Sequence, residues 1–253
     1  MEEQKMALDN LIYKIRIGSQ MYGTNTPDSD EDIGGIFIPD KDYVLGIKRC
    51  DQVILNQKRS KSVRNKKGDI DYTVYSLPKF IHLAIGNNPN IIEFFFAHKT
   101  CILKYNRFAE KLLGSYKLFI SKNSYHTFKG YAYSQRKRLE VKKANMTGRT
   151  ELTEKFGYDV KFASHLIRML LEGQQILSEG RLTLPLPQNN LVRDIKIGRY
   201  SLDWILEKAT ELEKFVDLAY TNTKLQYTAD LKAINRLQIE LLTDYWSEGT
   251  LSA

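Results

Sequence analysis

Residues 18–36 read "GSQMYGTNTPDSDEDIGGI": a Gly-Ser pair, a stretch of turn formers, a run of acids, then an apolar segment. The flanks decide the fold. "YKIRIGS" (13–19) alternates apolar and basic residues, as a half-buried strand does. "NTPDSD" (25–30) is a turn cluster. "IGGIFIP" (33–39) is a buried strand with a glycine pair in it, stopped by Pro39. The acids therefore stand at the mouth of a strand, beside a glycine turn.

Outward from this frame, residues 3–13 carry apolar residues at helical spacing (Met6, Leu8, Leu11, Ile12), and "DQVILN" (51–56) reads as a further strand. The loop "QKRSKSVRNKKGD" (57–69) holds six basic residues; guidance of a polyanion and plain solubility are both open readings. "IDYTVYS" (70–76) alternates with period two and is a strand. Helices follow. "SLPKFIHLAIGN" (76–87) opens with a Ser cap and a proline in its first turn, and Pro89 starts another helix in "NPNIIEFFFAH". From residue 107 onward the clearest helical segments are 107–120, 127–145, 158–180, 201–220 and 232–246. The expected class is α+β: a small mixed-sheet core over residues 1–120, then a helical domain over 121–253.

Composition narrows the function. The chain has 253 residues, 42% hydrophobic and 27% charged, which is ordinary for a folded domain. No apolar run reaches the length of a membrane span, and the acidic N-terminus does not read as a signal peptide. Cys50 and Cys101 are the two cysteines, and the four histidines are scattered, so neither a disulfide framework nor a zinc site is expected. A cytoplasmic setting fits. The net charge of +8 suits a polyanionic partner such as a nucleotide or nucleic acid.

Asp30 and Asp32 are separated by one residue, so in an extended chain their side chains share a face. Adjacent carboxylates repel unless a cation lies between them. Oxygen ligands without His or Cys favour Mg²⁺, with Mn²⁺ as an alternative, and Mg²⁺ commonly brings phosphate oxygens with it. A third carboxylate would complete a two-metal site for phosphoryl or nucleotidyl transfer. Asp71 in the strand "IDYTVYS" is the first choice for it, and Asp69 is the alternative nearer the loop. Gly18 allows a backbone to approach phosphate closely, and Ser19 adds a hydroxyl donor.

The order of strand, Gly-Ser, spacer, Asp-x-Asp, apolar strand and later strand aspartate resembles the DNA polymerase β-like nucleotidyltransferase superfamily. "GSQMYGTNTPDSDEDIGGIFIP", "YSLPKFIHLAIGNNPNIIEFFF", "FKGYAYSQRKRL" and "YDVKFASHLIRMLLEGQQILSEG" are similar to successive blocks of its RNA-repair-associated, RlaP-type branch, which also occurs in phages. The resemblance implies that Asp30, Asp32 and Asp71 are catalytic metal ligands for two ions. It implies that Gly18 and Ser19 contact the triphosphate, and that a helical unit closes over the nucleotide. The implied activity is transfer of an NMP from ATP or another NTP to an acceptor hydroxyl, with pyrophosphate released. RNA is the expected acceptor, in a bacterial or phage-infected cell. A protein or small-molecule hydroxyl, and a non-catalytic binding module, remain the rivals.

Two later blocks offer further binding residues. Lys161, His165 and Arg168 recur at helical spacing and form a basic stripe suited to a triphosphate; a solvated face, and for His165 an interior position, are the alternatives. Tyr131, Gln135 and Arg138 share a helical face and are candidates for substrate contact, alongside the simpler reading of tyrosines in the core and Lys142 and Lys143 in water. Glu93, set among apolar residues, is expected to be paired with a buried base, without a catalytic role.

Overall fold

The structure is a computed structural model that describes residues 2–26, 29–55, 70–144 and 150–251. The first elements are α1 (Glu2–Asp9), β1 (Leu11–Ile17), α2 (Ser19–Tyr22), β2 (Glu31–Phe37), α3 (Lys41–Val44), β3 (Gln52–Leu55) and β4 (Ile70–Ser76). Then come α4 (Leu77–Ile85), α5 (Pro89–Ile92), a 3₁₀ turn (Glu93–Phe96), β5 (Ile102–Tyr105) and α6 (Arg107–Gly114). The remainder is helical: α7 (Asn123–Ala144), α8 (Thr150–Phe156), α9 (Val160–Glu179), α10 (Asn189–Lys196), α11 (Leu202–Asn222) and α12 (Leu231–Leu251). The fold is α+β.

Chain contacts cluster into two compact units. The described residues of Met1–Gly86, Ile91–Phe119 and Ala229–Ala253 form the first, and those of Asn87–Asn90 and Ile120–Thr228 the second. Helix α12, read from sequence with the helices beyond residue 120, falls in the first unit, where the Trp246 indole N–H donates to the Pro39 carbonyl at 3.0 Å.

The first unit is built on a sheet of order β3-β4-β2-β1-β5. The β2–β4 pair is parallel and the other neighbours are antiparallel, so the sheet is mixed. Period-two alternation separates its faces. Ile33, Phe37, Val53, Tyr72 and Val74 turn to one face and pack with Met6 and Ala7 of α1. Tyr13, Ile15 and Ile36 turn to the other, where the rings of Phe80, Phe94 and Phe95 gather. Helix α4 begins as its sequence predicts: Ser76 Oγ accepts the Lys79 N–H at 3.3 Å.

Three local expectations need correction. The helix read over 3–13 stops at Asp9, because Leu11 enters β1 and pairs with Phe37. The helix starting at Pro89 lasts one turn and gives way to the 3₁₀ turn, which swings Phe94 onto the sheet. Strand β5, outside the sequence-predicted strands, pairs antiparallel with β1.

In the second unit α9 is the central helix. Contacts with α7, α10 and α11 leave it buried over most of its circumference.

Candidate active site

The register of β2 and β4 sets the centre of the site. Asp32 pairs directly with Asp71 across the parallel ladder. Directly paired residues face the same side, on strands about 4.8 Å apart, so the two carboxylates stand side by side. Asp32 is half-buried and Asp71 exposed. Like charges at this spacing disfavour one another, so the pair suits a cation.

Gly18 closes the site from the β1 side. Ile17 pairs with Asp32, and the next residue leaves the strand with φ 64° and ψ −140°. A β-carbon on Gly18 would lie 2.7 Å from Asp32 Oδ2. Both the positive φ and the lack of room call for glycine here. The Gly-Ser turn and the Asp32 carboxylate are therefore immediate neighbours. Ser19 begins α2, a single turn that Gly23 ends in left-handed conformation.

The acidic run divides by function. Glu31 accepts a hydrogen bond from Arg16 Nε at 2.8 Å and is an ion-pair residue of the β1–β2 ladder. Asp30 precedes β2, where no ladder sets its direction. Among the described residues no group of three or more His, Cys, Asp or Glu side chains is gathered to hold a metal. The ladder brings Asp32 and Asp71 together without drawing Asp30 into such a cluster. Asp69 and the basic loop lie outside the described residues.

Phe94 covers the row behind the aspartates. A β-carbon on Gly34 would come within 2.5 Å of its ring. Its backbone carbonyl accepts from the Tyr13 hydroxyl at 3.2 Å. Burial, with Tyr105 and Cys101 nearby, pushes the Tyr13 phenol well above its ordinary value, so it stays a neutral donor. Next to Phe94, buried Glu93 accepts a 2.5 Å hydrogen bond from the Tyr22 hydroxyl of α2. The sequence marked Glu93 for pairing with a buried base, but gave no sign of this bond from a hydroxyl in the turn following Gly-Ser.

The remaining sequence-predicted residues lie in the second unit. Lys161 and His165 are exposed on α9. Arg168 is 4% exposed, with Nη1 at 3.0 and 3.1 Å from the Glu172 carboxylate. The three do not make one exposed basic stripe, because neighbouring helices enclose position 168. On α7, the Tyr131 hydroxyl accepts from Asn88 Nδ2 at 3.3 Å. The Gln135 amide oxygen is buried without a hydrogen-bond partner among the described residues. The Arg138 guanidinium lies 5.4 Å from the Phe162 ring centre. Arg136, from the same basic run, is held by both Glu213 oxygens at 3.1 and 3.0 Å.

A model of the RlaP family, described as the RNA repair pathway DNA polymerase beta family, matches residues 1–235. The chain belongs to that family. The RlaP match takes in the whole sheet, and with it Gly18, Asp32 and Asp71. Membership places the chain in a DNA polymerase beta family. One relative is an uncharacterized 38.9 kDa protein from the nrdC-mobD intergenic region of Enterobacteria phage T4, 34% identical over 83 residues, 32% of this chain and 24% of that protein. Another is an uncharacterized protein of Methanocaldococcus jannaschii, 33% identical over 135 residues, 53% of this chain and 52% of that one. The chain thus spans about half or less of the curated relatives it matches. A crystal structure of a nucleotidyltransferase-like protein from Exiguobacterium sibiricum aligns over 100% of this chain and 78% of its own, at 11% identity and a TM-score of 0.30, too low to bear on the site. No helix among the described residues is long and apolar enough to cross a membrane.

Proposed function

We propose that this chain is a Mg²⁺-dependent nucleotidyltransferase that moves an NMP from an NTP to the hydroxyl of an RNA end, releasing pyrophosphate. The observation that carries the reading is the pairing of Asp32 with Asp71 on one rung, with the Gly18 turn against Asp32. Mg²⁺ is commonly held by one or two carboxylates and completes its shell with water and phosphate oxygens, so a two-carboxylate site fits an ion that arrives with a triphosphate. Asp32 and Asp71 would hold it, and Asp30 is the residue nearest in sequence to serve a second ion. When bound, such an ion offsets charge on the leaving pyrophosphate and acidifies an attacking hydroxyl.

The chain's own residues supply the positioning. The Gly18–Ser19 turn offers backbone N–H groups and a hydroxyl to the phosphates. Asp32, half-buried against that turn, suits the triphosphate side. Asp71, exposed where β4 begins, suits the side from which an acceptor approaches. The net charge of +8 and the RNA-repair description of the family favour RNA as that acceptor.

The test is transfer of labelled NMP with Mg²⁺ to RNA, to DNA, to a small-molecule hydroxyl and to the chain itself. Labelled RNA ends support the reading. Label on another acceptor keeps the chemistry and moves the substrate. NTP binding with no transfer to any acceptor favours a binding module, and pyrophosphate release that survives Asp32→Ala refutes the site.

A further inference from the structure

Glu93 is a buried carboxylate that the chemistry above does not use. It is 1% exposed, and burying a carboxylate is costly unless something specific holds it. Its oxygen takes the Tyr22 hydroxyl at 2.5 Å. Tyr22 ends the four-residue helix α2 that Ser19 begins. A single helical turn has no stability of its own, so its orientation depends on what it is tied to. Buried Met21 is one tie, and the Tyr22–Glu93 bond is another.

The residue after Glu93 is fixed to the other half of the site. Phe94 rests on Gly34, one row behind Asp32 on the same face. Its ring meets those of Tyr13 and Tyr75 at 6.5 and 6.2 Å. Two consecutive residues of one 3₁₀ turn thus hold different parts: Phe94 sits on the sheet that carries the aspartates, and Glu93 holds the helix that carries Ser19.

We propose that Glu93 is a positioning residue which, through Tyr22, sets the height of the Gly18–Ser19 turn above the Asp32–Asp71 pair and so tunes triphosphate binding. The inference rests on the nucleotidyltransferase reading for its kinetic consequence, but its structural half is independent of any nucleotide. Tyr22→Phe removes one hydroxyl and leaves the packing. Glu93→Leu fills the space without an acceptor, and Glu93→Gln restores one.

Two measurements on the full chain decide it. Hydrogen exchange of amides 19–24, without nucleotide, is expected to quicken about tenfold in Tyr22→Phe. In transfer assays, Tyr22→Phe and Glu93→Leu are expected to raise KM for NTP about five- to tenfold with kcat within about twofold, and Glu93→Gln to fall between them and the wild type. Unchanged exchange together with unchanged KM in Tyr22→Phe overturns the proposal, as does a fall in kcat at constant KM. If wild-type protein neither binds nor transfers nucleotide, the functional reading fails while the exchange result still decides whether Glu93 holds the turn.

Discussion

Phe94 lies so close over Gly34 that a methyl group there would come within 2.5 Å of its ring. Gly34→Ala is therefore expected to lower stability by about 1–3 kcal/mol, the usual cost of overpacking. Replacing Phe94 with Leu in the same chain removes the clashing ring edge, and urea unfolding should show the two substitutions compensating in part. Full additivity would mean that Phe94 does not press on Gly34.

Gly18 combines positive φ with a carboxylate oxygen in the space of its missing side chain. Gly18→Ala should cost about 1–3 kcal/mol in thermal unfolding and reduce NTP binding as well, because the turn cannot keep its approach to Asp32. An alanine variant with native nucleotide affinity would separate the turn from the site.

Asp71 is exposed, so its loss should leave the fold intact. Asp71→Asn is expected to change stability by less than about 1 kcal/mol. The same change should slow NMP transfer about a hundredfold or more, as when a group stabilising transition-state charge is lost. Calorimetry and transfer kinetics on one preparation check both halves.

The Arg168–Glu172 pair is a different case, since both side chains are nearly excluded from solvent, at 5% and 0%. Glu172→Gln removes this negative charge from beside a buried guanidinium, and a loss of about 3–5 kcal/mol is expected by chemical denaturation. A loss near zero would place the pair in contact with water.

Acid should weaken the α7–α11 contact of the second unit. Burial alone would raise the Asp217 carboxyl, but hydrogen bonds from Lys129 and Tyr125, with the Lys129 charge, hold it below its ordinary value. A carboxyl depressed by folding contributes stability above its unfolded pKa, and that contribution disappears as pH falls from about 4 through the folded value. Both partners are substantially exposed, so the contribution is below about 1 kcal/mol. Asp217→Asn should flatten the stability curve in that acidic range, measured by urea unfolding at stepped pH.

The legible parts of this chain were those where a period repeats. β1, β2, β3 and β4 announce themselves by alternation or by an apolar run between turn signals, but Asp69 and Asp71 share one parity, and only the β2–β4 register pairs Asp71 with Asp32. Leu11 and Ile12 satisfy both helical and strand spacing, and only the rung with Phe37 decides between them. β5 is four residues long, too short for a period to show. Arg168 marks the limit of helical wheels: spacing gives its angle on α9 but not which helices pack there. The Tyr22–Glu93 bond spans 71 positions, and no local pattern connects its ends.

The membership of α12 in the sheet unit bears on synthesis. The ribosome releases all of Ile120–Thr228 before the stretch that carries Trp246 to Pro39. Domains tend to fold as they emerge, so the inserted helices can be complete while the sheet still waits for its last helix. A chain interrupted at residue 228 would carry every strand of the sheet and both paired aspartates, yet leave the surface under α12 open to solvent.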